Sequence, residues 1–299
     1  MNVMASNAPR GIAITPDGTR AYVTLYNANS VAVINTATNT VITTVPVGLQ
    51  PWGVAITPDG TRAYVTNSGV NTVSVINTVT NTVIATVVVG SGPLGIDITP
   101  DGTRAYVANS RTTFVSVINT ATNTVIANVP VASQPLEIAI TPDGTRAYVT
   151  MANNMVAVIN TATNTVIATI LVGPSPRGIE ITPDGSRAYV ATAGNNSLTV
   201  INTATNTVIA TVPTGGSTPV AIAIMPNGSR AYVTNANSNN VSVIDLATHT
   251  LITLVPVGSA PWGVAITPDG TRAYVTNFNS STVSVIDTST NTVIATIPV

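Results

Sequence analysis

The 299-residue chain contains no cysteine and no lysine, and only one histidine, His249. Without cysteine there is no thiolate nucleophile, no disulfide and no Cys-ligated metal; without lysine there is no Schiff base and no lysine general base. Charge is scarce as well. Charged residues make up 7% of the chain, against roughly 25% in an ordinary globular domain, and the net charge is −1. The ten arginines never cluster into a basic run, so a surface that binds nucleic acid by releasing counterions is not expected. No apolar stretch is long enough to cross a bilayer as a helix. The opening residues MNVMASNAPR lack a basic region followed by an apolar run, so no signal peptide is read in them.

What is present is repetition. The proline of a TPDG-type turn recurs at Pro16, Pro58, Pro100, Pro142, Pro183, Pro226 and Pro268, at intervals of 42, 42, 42, 41, 43 and 42 residues. Self-similarity at this period marks a repeat architecture, and each unit must bury its faces against its neighbours. In the second unit, Gly53 to Thr57, Arg62 to Asn67, Thr72 to Asn77 and Thr82 to Val89 read as four short, β-branched strands bounded by turn residues. We denote the four strands of each unit a to d. In the a-to-b turn Thr57-Pro58-Asp59-Gly60, Pro suits φ near −65° and Gly the left-handed residue of a type I turn closed by a bulge.

An isolated four-stranded meander with two apolar faces is unstable. Radial stacking of seven buries every face, whereas a linear solenoid needs polar caps that Ile297-Pro298-Val299 does not supply. The predicted fold is all-β: a seven-bladed β-propeller of four-stranded antiparallel blades, one domain over 1–299 with repeats at about 9–50, 51–92, 93–134, 135–175, 176–218, 219–260 and 261–299. Blade 7 already holds its own last strand. Closure is therefore expected from packing of blade 7 on blade 1, with Met1 to Ala5 near an edge.

The segments Tyr64-Val65-Thr66-Asn67, Tyr232 to Asn235 and Tyr274 to Asn277 resemble the signature of the YVTN family of β-propellers, and the likeness runs from Pro9 to the end. Leu25, Ala108, Met151 and Ala191-Thr192 depart from it at the motif's end. The resemblance implies surface-layer-like or exported bacterial and archaeal proteins, hence an extracellular or cell-surface location. Related propellers among haem and quinone enzymes, lactonases and lyases use histidines, metal ligands or inserted loops that have no match in this sequence.

Functional candidates emerge by removing what the repeat demands. Arg20, Arg62, Arg104, Arg146, Arg187, Arg230 and Arg272 open strand b, while Asp17, Asp59, Asp101, Asp143, Asp184 and Asp269 occupy the turn. Their periodicity marks them as structural, holding one face through hydrogen bonds or ion pairs. His249 replaces the Asn of the c-to-d turn and reads as an exposed turn residue, because no second unusual residue shares its face.

The remainder falls on the opposite face, where d-to-a and b-to-c connections meet. Arg10, Tyr26, Trp52, Trp262 and Phe278 belong to blades 7, 1 and 2, which a ring makes neighbours. An Arg between two Trp favours stacking on a carbohydrate, peptide or protein ligand, although each Trp equally suits a plug between blades. In blades 3 to 5, Asp97 and Glu180 replace the Ala of Ala13 or Ala55, and Glu137 replaces the Gly of Gly11. Strand a is innermost, so these carboxylates approach the central channel, with Arg177 placed to neutralise Glu137. Such a cluster raises its own pKa values or recruits a hard cation such as Ca²⁺ through Asp97 and Glu180; hydrated carboxylates without a ligand fit equally.

The preferred expectation is a non-catalytic binding and structural module, secreted or on the cell surface and monomeric, with no catalytic residues assigned and no required cofactor. The alternative is a channel-mouth hydrolase, of lactonase or glycoside type, using Asp97, Glu137 and Glu180 with or without a metal. The third is a pure repeat scaffold, natural or engineered, without a ligand.

Overall fold

The computed structural model describes residues 7–299. Blade 1 consists of β1 (Pro9–Ile14), β2 (Arg20–Leu25), β3 (Ser30–Asn35) and β4 (Thr40–Pro46), and blade 2 of β5 (Pro51–Ile56), β6 (Arg62–Asn67), β7 (Thr72–Asn77) and β8 (Thr82–Val88). The pattern repeats through all seven blades. The later blades open with β9 (Pro93–Ile98), β13 (Pro135–Ile140), β17 (Pro176–Ile181), β21 (Pro219–Ile224) and β25 (Pro261–Ile266), and the last strand is β28 (Thr292–Pro298). Each blade is a separate four-stranded antiparallel meander in sequence order. The opening strands contact one another in succession, and β1 meets β25 as it meets β5, so the ring is closed with strand a innermost.

The turns form as their residues dictate. Gly60 takes φ +72° and donates its N–H to the Thr57 carbonyl at 2.8 Å. Asp59 Oδ1 accepts from the Thr57 hydroxyl at 2.5 Å and the Thr61 N–H at 3.0 Å, which locks the corner. In the c-to-d turn Asn81 is left-handed at φ 52°, and Asn77 Oδ1 accepts the N–H groups of Val79 and Thr80. A register shift after Val75 leaves Ile84 unopposed and turned outward, a bulge repeated in every outer strand.

The core lies between blades. One cluster joins Tyr64, Val73 and Val75 of blade 2 to Ile96, Ala105, Val107 and Ile118 of blade 3, and the seven tyrosines of strand b, one per blade, are fully buried. A buried phenol needs a partner. Tyr64 Oη donates to Asn123 Oδ1 of blade 3 at 2.7 Å, and Arg62 reaches the Thr120 carbonyl of the same turn. Thus the periodic arginines tie blade to blade through carbonyls, whereas the periodic aspartates stabilise their own corners.

The seam between blades 7 and 1 uses the same bonds: Tyr274 Oη to Asn39 Oδ1 at 2.7 Å and Thr276 Oγ1 to the Arg10 carbonyl at 2.7 Å. A cluster including Val23, Ile34, Tyr274 and Ile297 packs beneath them. Asn7 adds a clasp, its Nδ2 donating to the Val299 carbonyl at 2.9 Å and its N–H to Ser281 Oγ at 3.0 Å. Closure thus comes from packing and side-chain bonds, with all four strands of blade 7 drawn from the C-terminal end. The expected role of Met1 to Ala5 falls outside the described residues.

Candidate functional site at the channel mouth

Every opening strand begins with a bulge, and the bulge builds the site. Pro9 pairs with Leu25 and Ile12 with Val23, so Arg10 and Gly11 together oppose Thr24. Thr24 Oγ1 accepts the Gly11 N–H at 2.8 Å and donates to the Trp52 carbonyl of blade 2 at 2.7 Å. This draws adjacent opening strands so close that a Cβ at Gly11 would strike that same carbonyl. The extra residue of each bulge is aimed at the axis. Arg10, Trp52, Leu94, Leu136, Arg177, Val220 and Trp262 consequently ring the mouth of one cavity of about 360 Å³, with Asp97, Glu137 and Glu180 in its wall.

Arg10 sits between its two neighbours in that ring, Trp262 and Trp52. Its guanidinium carbon lies 3.7 Å from the Trp52 ring centre, 4.4 Å from Trp262, 4.5 Å from Tyr26 and 4.6 Å from Phe278. The rings brace one another edge to face, Trp52 with Trp262 at 5.7 Å and with Tyr26 at 6.0 Å. All five residues keep partial solvent access. The five aromatic-sector candidates are therefore one unit, but its ring faces are turned to Arg10 rather than left open as a stacking platform. Arg10 Nε and Nη1 are sealed among the rings without a hydrogen-bond partner. Burial, with the nearby Arg177 charge adding and Tyr26 opposing, lowers the Arg10 pKa to about 10, so it stays a cation at neutral pH.

Across the ring stand the acids. Asp97 Oδ1 accepts the Ile98 N–H at 2.8 Å, and its Oδ2 reaches the Ile140 N–H of blade 4, also at 2.8 Å. These are inner-edge donors with no further strand to pair them. The blade 3 position that elsewhere holds the bridging threonine is Ala108, and in blade 5 it is Ala191. Asp97 thus supplies a link between blades 3 and 4 where the hydroxyl is missing. Glu137 lies over Gly95, where any Cβ would collide with its carboxylate and backbone.

Strand atoms surround all three carboxyl groups even though a little of each remains open to the channel. Burial raises Asp97 to about 6 against the pull of its two N–H bonds. Burial and then the Asp97 charge raise Glu137 to about 7 and Glu180 to about 8. The cluster therefore titrates through the neutral range, with Asp97 the most ionised member and Glu180 the most protonated.

Arg177 lines the same rim but its side chain is exposed. Solvent screening explains why the expected neutralisation of Glu137 is not what governs its protonation. Asp97 and Glu180 do not gather a chelate: among the described residues no group of three or more His, Cys, Asp or Glu is placed to hold a metal ion. Both Asp97 oxygens are already engaged with backbone donors, so a hard cation seeking six or more oxygens finds few.

Leu94, Leu136 and Val220 complete the rim as an apolar wall. Their signal was register: each holds the same place after a strand-opening proline as Arg10 and Trp52. His249, expected to be exposed, is half-buried instead. Its Nε2 lies 3.1 Å from Tyr189 Oη and 3.4 Å from Arg187 Nη1, occupying the seam position that Asn fills in the other blades. Burial, with the Arg187 charge, lowers its pKa.

Comparison with known proteins adds context to this geometry. A family profile described as "Lactonase, 7-bladed beta-propeller" matches residues 54–255, more than half of the chain, and one described as "Choice-of-anchor I domain" matches residues 3–56. A search of curated proteins finds no match. Among solved structures, Kuenenia stuttgartiensis hydrazine synthase is similar at 26% identity with a TM-score of 0.89, covering 97% of this chain and 98% of that one. A functionally unknown protein from Desulfotomaculum acetoxidans is similar at 22% identity and TM-score 0.83, covering 93% and 95%.

Proposed function

The chain belongs to the lactonase family of seven-bladed β-propellers, and we propose that it hydrolyses cyclic esters at the mouth of its central channel. The observation that carries this reading is the carboxyl cluster. Asp97, Glu137 and Glu180 stand where the repeat needs only Ala or Gly. Their burial raises their pKa values into the working range of acid–base chemistry. Keeping them there destabilises the ionised fold, and the repeat itself derives no structural need for two of the three.

In this mechanism the ionised fraction of Glu137 takes a proton from water as its oxygen attacks the lactone carbonyl. The ring C–O bond breaks, and protonated Glu180 delivers its proton to the departing alkoxide, giving a hydroxy acid with net consumption of one water. Asp97 acts as a positioning residue, since its charge adds to the burial that raises both glutamates above their ordinary range. No step is routed through a metal. A glycoside is the less favoured substrate, because the aromatic faces that stack on sugars are already covered by Arg10. The YVTN-like segments and the choice-of-anchor match over residues 3–56 support an extracellular or cell-surface setting for this chemistry.

The test is a pH-stat assay with glucono-δ-lactone and simple γ- and δ-lactones, each corrected for spontaneous opening. Acceleration is expected on at least one ring class, with a maximum between pH 6 and 8 and a loss of about 10²-fold or more in Glu180→Gln and in Glu137→Gln. Rates equal to background with every lactone, or unchanged in both variants, would overturn the reading.

A further inference from the structure

The chemistry of the mouth is unevenly charged. At pH 7 Arg10 and Arg177 are cations, Asp97 is mostly an anion, Glu137 is about half ionised and Glu180 is mostly neutral, so the cavity holds a small excess of positive charge at and below neutral pH. Arg10 cannot discharge that excess on its own surroundings: the rings around it offer only π faces, and two of its nitrogens are sealed without partners. A guanidinium held this way has little freedom to swing toward solvent, and Arg10 lines the same cavity as Leu136 of blade 4 and Arg177 of blade 5. A preorganised cation in a partly dehydrated cavity binds an oxyanion more strongly than a mobile surface arginine does.

We propose that caged Arg10, together with Arg177 on the far rim, is an oxyanion site that holds the carboxylate of a hydroxy acid. This deepens the lactone reading and rests on it for the identity of the ligand. A lactone enters neutral at its ester, and hydrolysis creates a carboxylate within reach of a cavity that carries this cation. The site then distinguishes product from substrate by charge. Its consequence is product inhibition: the hydroxy acid binds more tightly than the lactone, and Arg10 sets the difference. The aromatic cage serves this role by fixing the guanidinium while leaving its charge uncompensated, which an ion pair with a carboxylate of the protein would have cancelled.

The chain reports on this site directly, because its only two tryptophans, Trp52 and Trp262, are both in van der Waals range of Arg10. Intrinsic tryptophan fluorescence is titrated at constant ionic strength with sodium gluconate, inorganic phosphate and sodium chloride, on the parent, Arg10→Met and Arg177→Met. A saturable change with gluconate is expected, at least about tenfold weaker in Arg10→Met and about threefold weaker in Arg177→Met, with chloride giving none. Circular dichroism and melting verify that each variant is folded. Should Arg10→Met fail to fold, Arg177→Met, whose exposed side chain carries no fold contact of note, decides alone.

No saturable response to gluconate, or equal affinity in the folded variants, would overturn the site. Saturable binding of phosphate with none of gluconate would overturn the carboxylate assignment. Hydrolysis is read separately, so the two ideas fail independently. Gluconate binding without lactone turnover leaves the anion site and removes the substrate; turnover without gluconate inhibition does the reverse.

Discussion

Aspartate behaves in opposite ways at the two ends of this ring. In the a-to-b corners Asp17, Asp59, Asp101, Asp143, Asp184 and Asp269 accept hydroxyl and backbone hydrogen bonds in the open, and those bonds hold their pKa values below the ordinary range. In the channel, Asp97 also accepts two backbone N–H groups, yet burial wins and raises it. The difference lies in water. A corner carboxylate gains bonds without losing hydration, whereas the channel acids lose hydration and face one another. One end of the molecule gains stability from its carboxylates, and the other accepts a penalty for keeping its carboxyl groups dehydrated.

The largest expected effect tests that penalty. A buried acid with a raised pKa binds its proton in the folded state while the unfolded chain has released it, so folding stability falls as pH rises from about 4.5 to about 8 through Glu180. Glu180→Ala, which restores the residue of the repeat, should leave stability unchanged at pH 4 and raise it by about 5 kcal/mol at pH 9. Denaturant melts at the two pH values measure it; a loss of stability at pH 9 would show that the channel glutamate is structural and would erase the contrast.

Asp59→Ala probes the other end. Losing the Thr57 and Thr61 bonds at one corner should cost about 1 kcal/mol at pH 7 and leave any lactone turnover untouched. That cost should vanish as pH falls below the ordinary aspartate range, because the lowered pKa confers stability only on the ionised form. A drop in turnover would mean that the two faces are coupled through the blade.

The smallest effect concerns the one seam that departs from the pattern. With its pKa lowered, His249 takes up a proton less readily in the fold than in the unfolded chain, so the blade 5–6 seam loses stability as pH falls below 6.5. His249→Asn restores the Tyr-to-Asn bond of the other seams. It should add about 0.5 kcal/mol at pH 5 and nothing at pH 8, read as a shift in melting temperature. An equal gain at both values would trace the effect to packing instead of protonation.

Much of this was legible beforehand. The 42-residue interval, the Pro-Asp-Gly corners and the strand bounds at Arg62 to Asn67 and Thr72 to Asn77 follow from local chemistry, and the structure reproduces them. The opening strand, expected from Gly53, starts at Pro51, because Pro51 pairs with Asn67 across a bulge that the recurring proline marks in position but not in geometry. That bulge turns the residue after each proline toward the channel. Nothing local in the sequence displays that turn, so Leu94, Leu136 and Val220 do not stand out there as rim, and Trp52 and Trp262 also fit plugs between blades.

By itself, the sequence determined which residues deviate from the repeat: any mismatch among near-identical units is visible in one dimension, and a corner of five residues carries its own geometry. What only the tertiary structure decided is what those deviations do to one another. Arg10 and Trp262 are brought together by closure across the length of the chain. The raised pKa values of the channel acids come from dehydration inside the ring, and hydration and charge coupling depend on distances in space that no local spacing encodes.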